Sequence, residues 1–202
     1  MASHLSLQDR EQIDAGIEEK YNKVAMTPKG HFTYPTGRDG LKGLQYDDDL
    51  INDLPDTVAD SFCGVGNPFS LGEIKPGSLV LDIGCGSGVD ALLAASLVGV
   101  SGEVLGIDLT REMIRKANAN KETLKAENVV FRVASVQELT GMNGRYDVIM
   151  SNGVFNLIPE KDEAITATMN LLKPGGKLFI ADQFLAGPMT KDIKSRLASW
   201  FQ

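Results

Sequence analysis

The chain is predicted to form an α/β fold, a doubly wound and mainly parallel sheet with helices on both faces. From residue 78 onwards, short apolar strand patterns alternate with helical patterns. The strand patterns are nearly continuous apolar runs, as is typical of parallel strands buried on both faces. A glycine-rich turn at residues 84–88 joins the first strand to its helix. Together these observations predict parallel strands connected by crossover helices.

Periodicity places the individual elements. Strands are predicted at residues 79–81, 104–107, 129–133, 146–150 and 177–181, with residues 173–176 as the turn before the last one. Helices are predicted at residues 8–24, 89–98, from Thr110 to about 124, from 159 to about 172, and from 189 to the end.

Residues 25–71 are interrupted by prolines and glycines, with a short helix predicted at 47–53. A loop region this long is usually functional or disordered, and its aromatic residues argue against plain disorder. We therefore divide the chain into a helix-and-lid segment, residues 1–71, that carries substrate contacts, and a ligand-binding domain, residues 72–202.

Composition narrows the class of protein. The 202 residues carry a net charge of −7, whereas nucleic-acid binders usually show a basic footprint, so a small-molecule substrate is favoured over a nucleic acid. Two cysteines, no signal-peptide pattern and no apolar run near 20 residues predict a cytoplasmic protein without a disulfide or membrane span.

The glycine turn is flanked by two acids that define its ligand. Asp82 ends the first strand, where its carboxylate would repel a pyrophosphate but suits an ammonium group. The helix N-terminus after Gly88 can receive a carboxylate. Asp108 ends the second strand, where an acid can accept hydrogen bonds from ribose hydroxyls. A ligand with a ribose and an amino acid moiety is S-adenosylmethionine.

Two other functions stay open. A dinucleotide fingerprint, G-x-G-x-x-G, would make the chain an NAD-dependent oxidoreductase, but it needs glycine where the chain has Val89. A non-catalytic protein that binds S-adenosylmethionine, with a decayed or truncated acceptor site, is the alternative to a methyltransferase.

The chain resembles the class I S-adenosylmethionine-dependent methyltransferases, which have a Rossmann-like fold. The resemblance rests on residues 80–88, 106–108, 146–152 and 171–176. Within the class it is most similar to arsenite methyltransferases and their relatives that act in ubiquinone and menaquinone synthesis, through residues 35–38, 64–68, 106–113 and 151–157.

The resemblance implies roles for particular residues. Asp82 with the loop at Gly84, Cys85 and Gly86 would hold the methionine portion of S-adenosylmethionine. Asp108 would bind the ribose and Leu109 would pack on the adenine. The remaining expected cofactor contacts are Ser135 and Val136 at the adenine edge, and Ser151 and Asn152 on the methionine and methyl side.

On the acceptor side the chain departs from the arsenite group. The resemblance implies arsenic-binding cysteines where this chain has Val65 and Gly153. We expect Cys63, Tyr34 and Arg38 as acceptor contacts, with an arsenite-like or quinone-like group as the acceptor. No metal site and no single catalytic residue is predicted, and Tyr21 or Phe32 could meet the sulfonium by a cation–π contact.

The C-terminal end is the second departure. Class I folds commonly finish with two more strands, the last one antiparallel, and the chain is expected to lack them. The predicted last helix carries Trp200 and Phe201 near its end. These two side chains fit either a truncated chain or a partner chain that covers them, and a homodimer through this end is one such partner.

Overall fold

The computed structural model describes residues 6–184 of the chain. Within that range the helices and strands are, in chain order, α1 (Leu7–Val24), α2 (Gly37–Gly43), α3 (Asp48–Ile51), α4 (Asp56–Ala59), β1 (Leu79–Ile83), α5 (Val89–Val98), β2 (Glu103–Asp108), α6 (Arg111–Leu124), β3 (Val129–Val133), β4 (Tyr146–Asn152), α7 (Lys161–Leu171) and β5 (Leu172–Ala181). Short 3₁₀ helices lie at Pro68–Leu71, Gly99–Ser101 and Val136–Glu138.

The five described strands form one parallel sheet in the order β3-β2-β1-β4-β5. The order runs outwards from β1 in one direction to β3 and from β4 in the other to β5. The crevice at the carboxyl ends of β1 and β4 is therefore the switch point, where open α/β sheets bind their ligands. The predicted doubly wound parallel sheet is confirmed.

Both faces of the sheet are covered. Because successive strand residues point to opposite faces, Val80 belongs to a core with α5, and Leu81 belongs to a second core with α7. The first core also contains Leu41, Ile51 and Phe62 from the 37–62 region. Residues before the predicted boundary at 71 thus pack against the sheet domain, and the division itself remains a prediction.

The N-terminal helix α1 is confirmed within a residue of its predicted start. Ser6 caps it in a reciprocal capping box with Asp9, and Ile13 and Val24 are fully buried. The region after it contains more helix than predicted, because α2 and α4 were hidden by glycines and Pro55. Gly40 within α2 is required by packing, since a Cβ there would lie 2.6 Å from the Pro35 carbonyl oxygen.

Strand β5 corrects one boundary. It begins at Leu172, five residues before the predicted start, and the predicted turn at residues 173–176 is an irregularity inside the strand. The register shows this, because Tyr146 pairs with Leu172 but Val148 pairs with Lys177. Gly175, with φ of 79°, lies within the extra residues.

The predicted last helix and its Trp200 and Phe201 lie outside the described residues, so the homodimer based on them stays a prediction. Among the described helices, none combines the length and apolar character needed to cross a bilayer.

Candidate functional site

A cavity of about 540 Å³ opens at the carboxyl ends of β1, β2 and β4, at the switch point of the sheet. This volume lies within the range of roughly 300–1,000 Å³ that is usual for small-molecule sites. Nine of the ten predicted cofactor contacts line it, namely Asp82, Gly84, Cys85, Gly86, Asp108, Leu109, Ser135, Val136 and Asn152.

The glycine turn forms the floor of the cavity. Gly84, Gly86 and Gly88 have φ of 68°, 52° and 81°, a left-handed region that residues with a Cβ rarely adopt. Gly84 also faces the side chain of Val154, so a Cβ there would clash. The Cys85 N–H donates to the Ile107 carbonyl at 2.8 Å, which ties the turn to β2. The turn is therefore preformed.

Asp82 is buried with one carboxylate oxygen that lacks a hydrogen-bond partner. Its side chain is 2% exposed, and its Oδ2 has no hydrogen-bond partner among the described residues. Burial raises its pKa well above the usual value, and the neighbouring Asp90 and Asp108 raise it further. A cationic group entering the cavity would reverse both effects. The methionine ammonium of S-adenosylmethionine is such a group.

Asp108 holds the loop and also faces the cavity. Its Oδ2 accepts from the Gly86 N–H at 3.0 Å, and its Oδ1 accepts from the Thr110 N–H at 2.8 Å. Burial raises its pKa, against the lowering effect of these hydrogen bonds. Each carboxylate oxygen retains a second acceptor site for a ribose hydroxyl. The neighbouring Leu109 is 63% exposed, an apolar side chain at the mouth of the cavity.

Ser135 and Val136 form the wall beyond β3. Ser135 caps the short helix Val136–Glu138 in a reciprocal capping box with Glu138, so its hydroxyl is already engaged. Val136 is buried and faces the cavity. This wall offers an apolar surface and backbone groups, which suits the edge of a flat heterocycle.

The two residues that end β4 differ in place. Ser151 is the one predicted cofactor contact that is not on the cavity wall: it is 1% exposed and its hydroxyl donates to the Ile83 carbonyl at 3.0 Å. Asn152 lines the cavity, but its amide is engaged by the 65–66 backbone, Tyr46 and Asp90.

Asp90 and Tyr46 were not singled out from the sequence. Asp90 lies in the first turn of α5, is 7% exposed and lines the cavity. Its position after the glycine turn was the signal that could have marked it. Tyr46 comes from an irregular region with no such pattern, and only the fold brings its hydroxyl within 2.8 Å of Asp90 Oδ1.

Helix α1 covers the cavity. Asp14, Ile17, Glu18 and Tyr21 share one face of the helix and line it. On the opposite side, residues 157–160 after β4 complete the rim, and Arg10 of α1 forms an ion pair with Glu160. Residues of the predicted lid segment thus line the cavity, while its role as a lid stays a prediction. Tyr21 is in the wall, whereas Phe32 packs against Tyr34 and Lys20 instead.

Of the three predicted acceptor contacts, two line the cavity and one does not. Cys63 and Tyr34 line the cavity, and the Tyr34 hydroxyl donates to the Cys63 carbonyl at 3.1 Å. Burial raises the pKa of the Cys63 thiol to about 12, so the thiol is neutral at pH 7. Arg38 lies away from the cavity, where its guanidinium donates to the Ile51 and Leu54 carbonyls and to Asp56.

The charges of the cavity distinguish between candidate ligands. Its described lining contains six acidic side chains and a single basic one, Arg111. A dinucleotide would place a doubly charged pyrophosphate among these acids. S-adenosylmethionine places a sulfonium and an ammonium there instead. Together with the orphan oxygen of Asp82, this charge pattern fits S-adenosylmethionine and not NAD.

A doubly wound sheet with an acid-flanked glycine turn at its switch point defines a class of nucleoside-binding α/β proteins. Comparison with known proteins identifies the family within this class. A model described as a methyltransferase domain matches residues 74–200. The chain belongs to this methyltransferase family, with the Rossmann-like fold of class I enzymes and S-adenosylmethionine as its cofactor.

Individual relatives agree with this assignment. An arsenite methyltransferase from Halobacterium salinarum is 40% identical over 159 residues, covering 79% of this chain and 40% of the relative. A ubiquinone biosynthesis O-methyltransferase from Acinetobacter baylyi is 33% identical over 106 residues, covering 52% and 43%. The crystal structure of an arsenic(III) S-adenosylmethionine methyltransferase from Chlamydomonas reinhardtii, 31% identical, superposes with a TM-score of 0.59 over 74% of this chain and 50% of that one. The chain thus spans half or less of the length of each.

Proposed function

We propose that the chain transfers a methyl group from S-adenosylmethionine to a small-molecule acceptor. The observation that carries this proposal is the buried, unpartnered Oδ2 of Asp82 beside a preformed glycine turn, in a cavity rich in acids. Family membership supports it.

The donor-binding roles follow from the positions of the side chains. Asp82 would bind the methionine ammonium, and the positive end of α5, behind Gly88, would receive the carboxylate. Asp108 would accept from the ribose hydroxyls, while Leu109 and Val136 would pack against the adenine. Ser151 would not touch the donor but would hold the end of β1 in place beneath the cavity floor, through its hydrogen bond to the Ile83 carbonyl.

When bound, S-adenosylmethionine supplies a methyl group that is already activated on a sulfonium. As the bond from the methyl group to the acceptor forms, the bond from the methyl group to sulfur breaks, and the proton of an acceptor hydroxyl would pass to solvent at the cavity mouth. The chain therefore needs to align an acceptor and exclude water from the methyl group. Helix α1 and the Arg10–Glu160 ion pair would exclude water, and Tyr21, Tyr34 and Val65 would shape the acceptor side. No side chain needs to act as a nucleophile.

The acceptor class is suggested by the names of relatives, which are arsenite methyltransferases and an O-methyltransferase of ubiquinone biosynthesis. Soft metalloids prefer thiolates. Here the acceptor side offers the neutral thiol of Cys63, while Val65 and Gly153 occupy the positions where cysteines are implied by the arsenite resemblance. A quinone-like organic acceptor is therefore favoured over arsenite.

A turnover assay tests this function. S-adenosylhomocysteine formation would be measured against a panel of phenols, quinols, amines and arsenite with added thiol, with no acceptor as the control. Formation that depends on an organic acceptor supports the proposal. Tight binding of S-adenosylmethionine without turnover on any acceptor would favour the non-catalytic alternative.

We also propose that the chain has no nucleic-acid partner, which the net charge of −7 supports, and that it is cytoplasmic, which its two free cysteines support. The homodimer through residues 189–202 belongs with these proposals. Sedimentation of the full chain tests it, since a concentration-independent monomer would contradict it, and retention on a heparin column at physiological salt would contradict the absence of a nucleic-acid partner.

A further inference from the structure

The side-chain amide of Asn152 clasps a segment of backbone next to the cavity. Its Oδ1 accepts from the N–H groups of Val65 and Gly66 at 2.8 and 3.0 Å. Its Nδ2 lies 2.8 Å from the Gly66 carbonyl oxygen. One side chain at the end of β4 thus satisfies three backbone groups of a segment 86 residues away in the chain.

Asp90 and Tyr46 complete a buried polar cluster around the side-chain amide of Asn152. Asp90 Oδ2 accepts from Asn152 Nδ2 at 2.9 Å, and its Oδ1 accepts from the Tyr46 hydroxyl at 2.8 Å. The Tyr46 oxygen also lies 3.1 Å from the Gly66 carbonyl oxygen and 3.2 Å from Asn152 Nδ2. We call Tyr46, Asp90 and Asn152 the clasp.

The segment that the clasp holds, residues 64–66, forms part of the cavity wall through Gly64 and Val65. Gly64 lies against Asn152 so closely that a Cβ would clash with the amide. Val65 packs on Gly153, where a Cβ would lie 3.2 Å from its methyl groups. Gly64 and Val65 are not among the residues to which we assign the donor, which are Asp82, Asp108 and Leu109.

We propose that Tyr46, Asp90 and Asn152 are positioning residues, which set the place of residues 64–66 and so the shape of the acceptor side, while the donor side is held without them. The assignment of the acceptor side rests on the proposed function. The mechanical part of the proposal, that the clasp holds this segment, is independent of any activity.

The clasp also contains a group that titrates near neutrality. Burial raises the pKa of Asp90 to about 6, although its bonds with Asn152 and Tyr46 lower it. The titratable groups that face it are Asp82 from β1, Cys63 from the adjoining segment, and Tyr46. Because the closed arrangement buries Asp90 and so raises its pKa, it binds this proton more tightly than an opened arrangement that exposes the carboxyl to water. The hold on residues 64–66 should therefore tighten below about pH 6.

Alkylation of Cys63, which adjoins the segment, measures this hold without an acceptor. N-ethylmaleimide would be reacted with the full chain, and peptide mass spectrometry would separate Cys63 from Cys85. Tyr46→Phe removes one hydroxyl but keeps the ring contacts with Phe62 and Phe69, and Asn152→Asp removes the amide donors. The matched controls are Tyr146→Phe and Asn128→Asp, whose hydrogen bonds lie elsewhere.

We expect both clasp variants to raise the Cys63 alkylation rate about fivefold to tenfold, the effect of losing one or two hydrogen bonds from a local closed state. The controls should stay within about twofold of the wild-type rate. For Tyr46→Phe, a position that does not line the cavity, the dissociation constant for S-adenosylhomocysteine, measured by calorimetry, should change less than about threefold. Unchanged alkylation in both clasp variants, or donor binding to Tyr46→Phe that weakens as much as its alkylation rises, would overturn the proposal.

A pH series on the wild-type chain provides a test that needs no variant. Thiolate chemistry alone predicts a tenfold fall in alkylation per pH unit, since the pKa of Cys63 is far above the range. Tightening of the segment should make the fall steeper below about pH 6, and Asp90→Asn should remove the change of slope. A constant slope in the wild type would contradict the role of Asp90. Failure of the chain to bind S-adenosylhomocysteine would overturn the proposed function but leave this result readable.

Discussion

Replacing Asp82 by asparagine is the perturbation that bears most directly on donor binding. The change keeps the shape of the side chain and removes the charge. Because Asp82 Oδ2 has no partner among the described residues, no protein hydrogen bond to that oxygen is lost. Burial also makes the ionised form of Asp82 costly in the absence of a ligand. The variant should therefore melt at or above the wild-type temperature.

Donor affinity should fall instead. Removing one partner of a buried charge pair costs about 2–5 kcal/mol, because the other charge is left without compensation. Asp90 and Asp108 lie close enough to raise the pKa of Asp82, and they would compensate part of that loss. We therefore expect the lower half of the range, about 2–3 kcal/mol, which is roughly a 30- to 150-fold weaker dissociation constant.

Isothermal titration calorimetry with S-adenosylhomocysteine, paired with thermal melts, measures both effects. The matched control is Asp147→Asn, near the start of β4 and at the end of the sheet away from the cavity. The Asp147 carboxylate accepts hydrogen bonds there from Lys173 and from the Leu79 N–H. The control should bind the ligand like the wild type. If Asp82→Asn bound S-adenosylhomocysteine with unchanged affinity, the assignment of Asp82 to the ammonium would be refuted.

Three further predictions address the loop, the acids and the lid. Gly84→Ala places a Cβ against Val154 at a positive φ, so it should destabilise the chain by about 1–3 kcal/mol and weaken donor binding. Denaturant unfolding measures the loss of stability. The control is Gly144→Ala, which is also at a positive φ but has open space around it. Lowering the pH from 7.5 to 5.5 should raise the melting temperature of the ligand-free chain by about 2–4 °C. The reason is that Asp90, with a pKa of about 6, takes up a proton in the folded chain that the unfolded chain does not bind, which stabilises the fold by about 1 kcal/mol in this window. Saturating S-adenosylmethionine should reduce the rise, and a melting temperature that falls without ligand would contradict the predicted sign. Arg10→Gln breaks a partly exposed ion pair between α1 and the rim, so the free energy of unfolding should fall by at most about 1 kcal/mol. S-adenosylhomocysteine should dissociate about threefold faster, as measured by stopped flow. An unchanged dissociation rate would show that this ion pair does not hold α1 over the cavity.

The parallel sheet could be predicted from the sequence, and most residues proposed for the donor side could be placed at the cavity, because local patterns encode both positions. Buried strands appear as apolar runs, and α5 and β3 lie at their predicted bounds. Asp82 and Asp108 are recognisable because strand ends converge at one edge of a parallel sheet. Their burial and mutual interaction, however, depend on distances that the pattern does not contain.

The acceptor side could not be predicted in the same way. Tyr46 and Asp90 meet through a contact that spans 44 residues and starts in an irregular region. Arg38 is a plausible pocket residue by composition, but the carbonyls at the ends of α3 and the following turn engage its guanidinium. Asn152 lines the cavity, and its cofactor contact stays a prediction, while its hydrogen bonds to residues 65 and 66 emerge only from the folded backbone.

The central claim is that this cavity binds S-adenosylmethionine at the switch point of the sheet. A crystal structure of the full chain grown with S-adenosylhomocysteine tests it most directly. The account predicts the ligand ammonium within hydrogen-bond distance of Asp82 Oδ2, the ribose hydroxyls on Asp108 and the adenine between Leu109 and Val136. A ligand bound elsewhere, or one with its ribose at Asp82 and its amino acid end at Asp108, would contradict it.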